Sequence, residues 1–105
     1  METVVLINPF EVPAEAEDRF LPAWNAAAEY MRRQPGFVST RLHKAISPDA
    51  PFEFINVAEW ESPEAFGAAT STEEFRRMAQ GGPPSHPALF RVVASMGPVE
   101  ESQQT

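Results

Sequence analysis

The chain contains no cysteine, which excludes disulfides, thiolate nucleophiles, zinc–thiolate centres and cysteine-ligated iron–sulfur clusters together. It also lacks an apolar run long enough to span a bilayer, and no basic amino-terminal region is followed by a hydrophobic signal. A cytoplasmic location is therefore expected. Basic residues are few: eight lysines and arginines face fifteen acids, and the formal charge of −7 opposes nucleic acid and anionic membranes as partners. Histidine is scarcer still, and two isolated histidines without a suitably spaced third ligand make a weak metal site. The partners left by these absences are a small apolar molecule or another protein.

Hydrophobic residues make up 43% of the 105 and charged residues 22%, an ordinary balance for a globular protein. The length suits a single domain, placed at residues 1–98, with 99–105 as a polar tail prone to fray.

The most informative segment runs from Phe52 to Glu61. Its strict alternation, read as a strand, puts Phe52, Phe54, Asn56, Ala58 and Trp60 on one face and Glu53, Ile55, Val57, Glu59 and Glu61 on the other. An uncharged amide then lies among aromatic side chains. Burying it without a partner costs about 1–3 kcal/mol, so a backbone group or a ligand is expected to bond it. The first apolar run, Thr3 to Val12, has the same character: Val4, Leu6, Asn8 and Phe10 share a face, and Pro9 suggests an edge position or a bulge.

Between these runs, residues 13–33 carry Ala16, Phe20, Trp24, Ala27, Ala28 and Met31 at helical spacing, with acids early and Arg32 and Arg33 late. Pro22 opposes a straight helix at a cost of about 3 kcal/mol, so a kink there or a restart with Pro22 in the first turn is expected. Gln34-Pro35-Gly36 ends the helix. Phe37 to Ile46 reads as a second strand, with Val38, Thr40, Leu42, Lys44 and Ile46 opposite Phe37, Ser39, Arg41, His43 and Ala45. Ser47 to Pro51 turns the chain back into the Asn56 strand. Ser62 with Pro63, and the Ser71 to Glu74 capping box, open two short helices. After the Gly81-Gly82-Pro83-Pro84 loop, Ala88 to Met96 reads as a last strand.

Strand, helix, strand, strand, helix, strand is the ferredoxin-like order, an α+β fold with a four-stranded antiparallel sheet and helices on one face. The uncovered face carries Ile55 and Val57 with apolar neighbours. Pairing two copies sheet against sheet, as a homodimer, would cover it.

Asn8 in the first strand, Gln34-Pro35-Gly36-Phe37, and the run from Asn56 through Trp60 to Phe66 together resemble the antibiotic biosynthesis monooxygenase family of dimeric α/β barrels. The resemblance extends from about Thr3 to Met96. It implies one of two enzymatic branches. Cofactor-free oxygenases of aromatic polyketide pathways convert anthrones or naphthacenones to quinones with O2, and Asn8, Asn56 and Trp60 match their catalytic positions. Heme-degrading oxygenases share the asparagine and tryptophan but need a histidine ligand on the following helix. Aligning Phe75 with the family's helix phenylalanine puts Ala79 at that ligand position, which counts against heme. The expected cofactor is none, with heme as the alternative.

Cofactor-free attack on dioxygen requires the substrate to become an enolate, and the Asn8 and Asn56 amides are neutral donors for its oxygen. Trp60 supplies a flat wall and an indole N–H. Phe10, Phe54, Phe20 and Trp24 are the candidate substrate walls, although for Phe20 and Trp24 at helical spacing a plain core role is the favoured reading. His43 and His86 are candidate proton acceptors, although a His-Pro-Ala-Leu-aromatic segment in related barrels leads into the last strand and gives His86 a structural reading. A non-catalytic barrel binding a small apolar ligand is the remaining alternative.

Overall fold

A computed structural model of the protein describes residues 3–99. Four strands, β1 (Val4–Phe10), β2 (Phe37–Lys44), β3 (Phe54–Trp60) and β4 (Ala88–Phe90), form one antiparallel sheet in the order β2-β3-β1-β4. Helix α1 (Glu17–Met31), preceded by a 3-10 turn at Ala14–Ala16, connects β1 to β2, while α2 (Pro63–Thr70) and α3 (Glu73–Ala79) connect β3 to β4. This is the expected ferredoxin-like order, with one crossover helix divided in two.

The division follows from the caps. Ser62 Oγ accepts from the Ala65 N–H at 3.1 Å and Thr72 Oγ1 accepts from the Phe75 N–H at 3.0 Å, so each short helix begins on its own hydroxyl. Pro63 fills the first turn of α2, where its missing N–H costs nothing. Tyr30 joins α1 to this pair: its buried hydroxyl donates to the Ala69 carbonyl at 2.9 Å and meets the Thr72 hydroxyl. Pro22 neither ends nor restarts the helix. It is the sixth residue of a continuous α1, on the exposed side with Leu21, where a missing donor meets water.

Alternation decides what the sheet buries. Val4 and Leu6 from β1, Ala58 and Trp60 from β3, and Ala69 from α2 form the core, with Phe37, Phe66 and Leu89 packed against it. Leu89 joins because it pairs with Leu6 and so shares its face. Phe54, only 2% exposed, packs on Phe20 of α1 with ring centroids 5.0 Å apart.

Two expectations change. Val38 is an extra residue between Phe37, which pairs with Trp60, and Ser39, which pairs with Glu59. This bulge turns Phe37 onto the core face, edge-on to Trp60 at 5.4 Å, and leaves Val38 exposed, the reverse of strict alternation. The last strand stops at Phe90 instead of Met96 because β4 pairs only with Val5 to Ile7, and beyond Phe90 no strand of the same chain meets it. Residues 91–99 continue as an exposed segment without regular structure, and the expected polar tail lies almost wholly outside the described residues. The radius of gyration, 16.3 Å, exceeds the ~13 Å of a close-packed chain of this length for that reason. Among the described residues no helix is long and apolar enough to cross a membrane.

Gly36 fixes the start of β2. Its φ of +88° lies in the left-handed region, its carbonyl accepts from the Glu61 N–H at 2.8 Å, and an added Cβ would collide with that of Ala65. At the other end of β2, Lys44 bonds Glu17 at 2.7 Å and tethers the first turn of α1. The bond and charge of Glu17 raise the Lys44 pKa, so its contribution is complete below the unfolded-state value and is lost as pH rises through the folded-state one.

Gly36→Ala should lower unfolding free energy by about 1–3 kcal/mol from backbone strain alone, with the methyl collision adding to it, as measured by urea denaturation. Tyr30→Phe should cost about 1–2 kcal/mol in the same assay by orphaning the Ala69 carbonyl. The stability difference between wild type and Lys44→Met should persist to about pH 10 and disappear at stronger alkali, measured as unfolding midpoints across that range.

Candidate active site

Between the core face of the sheet and the helices lies a cavity of about 430 Å³. Its floor comes from alternate strand residues: Leu6, Asn8 and Phe10 of β1, Asn56, Ala58 and Trp60 of β3, and Phe37 and Thr40 of β2. Its roof is α1, which presents Phe20, Trp24 and Met31 as the helical spacing predicts, and α3, which presents Phe75, Met78 and Ala79. The loop from Gly82 to Pro87 covers the remaining side. An open trough of about 940 Å³ adjoins it, sharing Phe10, Phe20, Met78 and Pro83 and carrying charged groups, Glu11, Arg19 and Glu53, absent from the inner cavity.

Asn8 and Asn56 are direct register partners across β1 and β3, so their side chains leave the same face about 4.5–5.5 Å apart at Cβ. Their environments differ. Asn56 is 8% exposed, and its Oδ1 accepts from the Thr40 hydroxyl at 2.6 Å. Asn8 Oδ1 is the buried side-chain polar atom left without a partner among the described residues. Among the described residues neither Nδ2 has a hydrogen-bond partner and neither is sealed off, so both amides keep donors available to the cavity. Among the described residues the wall contains no charged side chain, histidine, cysteine or tyrosine.

Trp60 lies at the inner end and is 1% exposed, held edge-on by Phe37 at 5.4 Å and Phe66 at 5.7 Å. It is a rigid wall and not an open stacking platform. Trp24, half-buried on α1, has more free surface. The remaining expected residues divide. Phe10 and Phe20 line the cavity with rings 5.0 Å apart, while Phe54 lies packed beneath Phe20 and outside the wall. His43 is not brought to the site: it pairs with Ile55 and therefore points to the opposite sheet face. His86 is exposed at the rim, where Nε2 meets Glu11 Oε2 at 2.6 Å, the ring packs on Phe52, and the backbone N–H bonds the Pro9 carbonyl at 2.9 Å. These bonds hold the 82–87 loop against β1.

Residues 3–81 match the family model described as antibiotic biosynthesis monooxygenase. The chain belongs to the antibiotic biosynthesis monooxygenase family. Among solved structures, it is 38% identical to a monooxygenase candidate from Shewanella loihica PV-4, covering 90% of this chain and 97% of that one at a TM-score of 0.78. SnoaB, a cofactor-independent oxygenase from Streptomyces nogalater, is 26% identical over 91% of this chain and 98% of its own, with a TM-score of 0.77. A heme-degrading protein from Mycobacterium tuberculosis is 28% identical over 90% and 99%, with a TM-score of 0.67. Among curated proteins no sequence matches the chain.

The similar structures thus include a cofactor-independent oxygenase and a heme-degrading protein. The donor set here does not fit heme. Ala79, where the family resemblance would place a heme-ligating histidine, lines the cavity with a methyl group, and among the described residues the wall supplies no imidazole, thiolate or phenol to iron. Among the described residues no group of three or more histidine, cysteine or acidic side chains could hold a metal ion.

Thr40, Phe66 and Met78 complete the cavity and were not among the candidate site residues. Thr40 shares a face with Leu42, the register partner of Asn56, and that placement was the available signal.

Because Asn8 Oδ1 is buried and unpaired, Asn8→Val should raise stability by about 1–2 kcal/mol while removing a donor from the cavity, as measured by denaturant unfolding alongside ligand binding.

Proposed function

We propose that the protein is a cofactor-independent monooxygenase that oxidises a polycyclic, anthrone-like substrate to a quinone with O2. The observation that carries this reading is the pair of side-by-side amides, Asn8 and Asn56, with free donors in an otherwise apolar, uncharged cavity. An anthrone loses a proton from its ring methylene to give an enolate. Donors at the enolate oxygen favour that loss, because charge appears there as the proton leaves. The enolate carbon reduces and binds dioxygen, and the methylene carbon ends as a carbonyl: CH2 and O2 become C=O and H2O, without an external reductant. The cavity wall offers no general base, so the proton leaves to water or to a basic oxygen of the substrate. Trp24, Phe10 and Phe20 flank the fused rings, and Trp60 fixes the depth of binding.

The protein acts as a homodimer in this proposal. Val5, Ile7, Ile55 and Val57 line the outer sheet face only half-covered, Phe90 beside them is 49% exposed, and a second copy packed sheet to sheet removes this surface from water.

Metal-stripped protein should consume oxygen with an anthrone. Asn56→Ala should reduce the rate by about 10²-fold or more, the usual penalty for losing one such donor. Trp60→Ala should also reduce it, and uptake at the spontaneous rate in wild type would refute the proposal. Hemin should produce no Soret shift that depends on His43 or His86. Light scattering should give twice the 11.6 kDa chain mass, and Val57→Asp should return it to one.

A further inference from the structure

We propose that Thr40 is a positioning residue that locks the Asn56 amide with both Nδ2 hydrogens directed into the cavity, making the site selective for an anionic or carbonyl oxygen over a hydroxyl. The inference deepens the oxygenase reading and rests on it for its biological meaning.

A terminal amide rotates readily between two orientations that differ by exchange of oxygen and nitrogen, so a free asparagine offers a ligand either a donor or an acceptor. Asn56 has one side-chain bond among the described residues, the 2.6 Å contact from Thr40 Oγ1 to Oδ1. That length belongs to an O–H···O bond, since N–H···O bonds cluster at about 2.9–3.0 Å. The hydroxyl therefore donates and the oxygen end of the amide is the end held. Exchange of the two ends would put nitrogen at an oxygen-to-oxygen distance.

The locked orientation matters because of what surrounds it. Asn8, directly across the strand pair, has its oxygen buried and its nitrogen unpartnered, so it also shows the cavity a donor. Two donors converge, while the Asn8 oxygen is buried and the Asn56 oxygen is engaged by the Thr40 hydroxyl. A phenol seated on the amide pair finds donors for its lone pairs but no amide oxygen for its proton, which only a wall hydroxyl such as that of Thr70 or Ser85 could accept, whereas its anion is matched by both amides. By linkage, the bound phenol ionises more readily than the free one. Without the Thr40 hydroxyl, the Asn56 amide is free to turn its oxygen toward a phenol, and the preference for the anion falls.

Thr40 is half-buried in the middle of β2, and Val has nearly the same shape and suits a strand, so the substitution perturbs the sheet little. The test uses a nitronaphthol, whose anion absorbs in the visible, bound anaerobically to wild type, Thr40→Val and Thr40→Ser. Its ionisation is followed by absorbance against pH, with thermal unfolding of each variant as a check on the fold. In wild type, binding of the anion should exceed that of the phenol by about tenfold, lowering the bound probe's pKa by about one unit. Thr40→Val should reduce the preference to about twofold or less, and Thr40→Ser should restore it. Equal preferences in wild type and Thr40→Val, absence of probe binding or of an ionisation shift in wild type, or failure of Thr40→Ser to restore the shift would each overturn the assignment. No oxygen is consumed in the measurement, so a protein that fails to oxidise anthrones can still pass it.

Discussion

The register between β1 and β3 is the constraint on which the remainder depends. Pairing Asn8 with Asn56 brings two amides to one spot on one face, and a slip of a single residue would send one of them to the opposite side of the sheet. The register is held by burial and not by the amides themselves. Val4 and Leu6 on one strand and Phe54, Ala58 and Trp60 on the other are the residues that the interior accepts, while Glu59 and Val5 opposite them are not. At about 25 cal/mol per Å² of apolar surface, the aromatic residues alone outweigh the cost of keeping a polar pair among them. The hydrophobic pattern thus places the polar groups, and the polar groups contribute little to the fold that holds them.

Most of this was legible because it rests on alternation. The faces of β1 and β3, the Ser62 cap, the helical spacing of Phe20, Trp24 and Met31, and the opposition of Asn8 and Asn56 to the apolar outer face all follow from periods of 2 and 3.6. What was not legible depends on a third element. The bulge at Val38 answers to a tertiary demand, the fit of Phe37 against Trp60, which no periodicity within β2 reveals. The short β4 depends on how much of β1 is free to pair. His43 looked suggestive by residue type; alternation grouped it with Arg41, and its pairing with Ile55 turns that group away from the asparagines. Thr40 was on the correct face from the start, but a threonine in a strand attracts no notice until its bond to Asn56 is visible.

Charge is distributed to suit an uncharged interior. A chain with a net charge of −7 keeps its ionised groups out of the cavity and places Glu11, Arg19 and Glu53 in the trough outside. The pair of Glu11 with His86 is spent on holding a loop. Surface pairs of this kind are individually weak, about 0–1 kcal/mol, and the loop is secured as much by the backbone bonds from His86 to Pro9 and from Glu11 to Pro84. The orphaned Asn8 oxygen is a local cost in stability beside the same uncharged cavity.

The loop on the open side of the cavity has a further consequence, from what its prolines lack. Irregular backbone usually brings unpaired N–H groups with it, and these compete for any acceptor that enters. Of the four loop residues that face the cavity, Gly82, Pro83, Ser85 and Pro87, two have no N–H at all. The chain closes the chamber with backbone that is half silent as a donor. An entering oxygen atom therefore meets fewer rival hydrogen-bond donors on the loop side, and the orientation of a ligand is decided at the floor of the chamber.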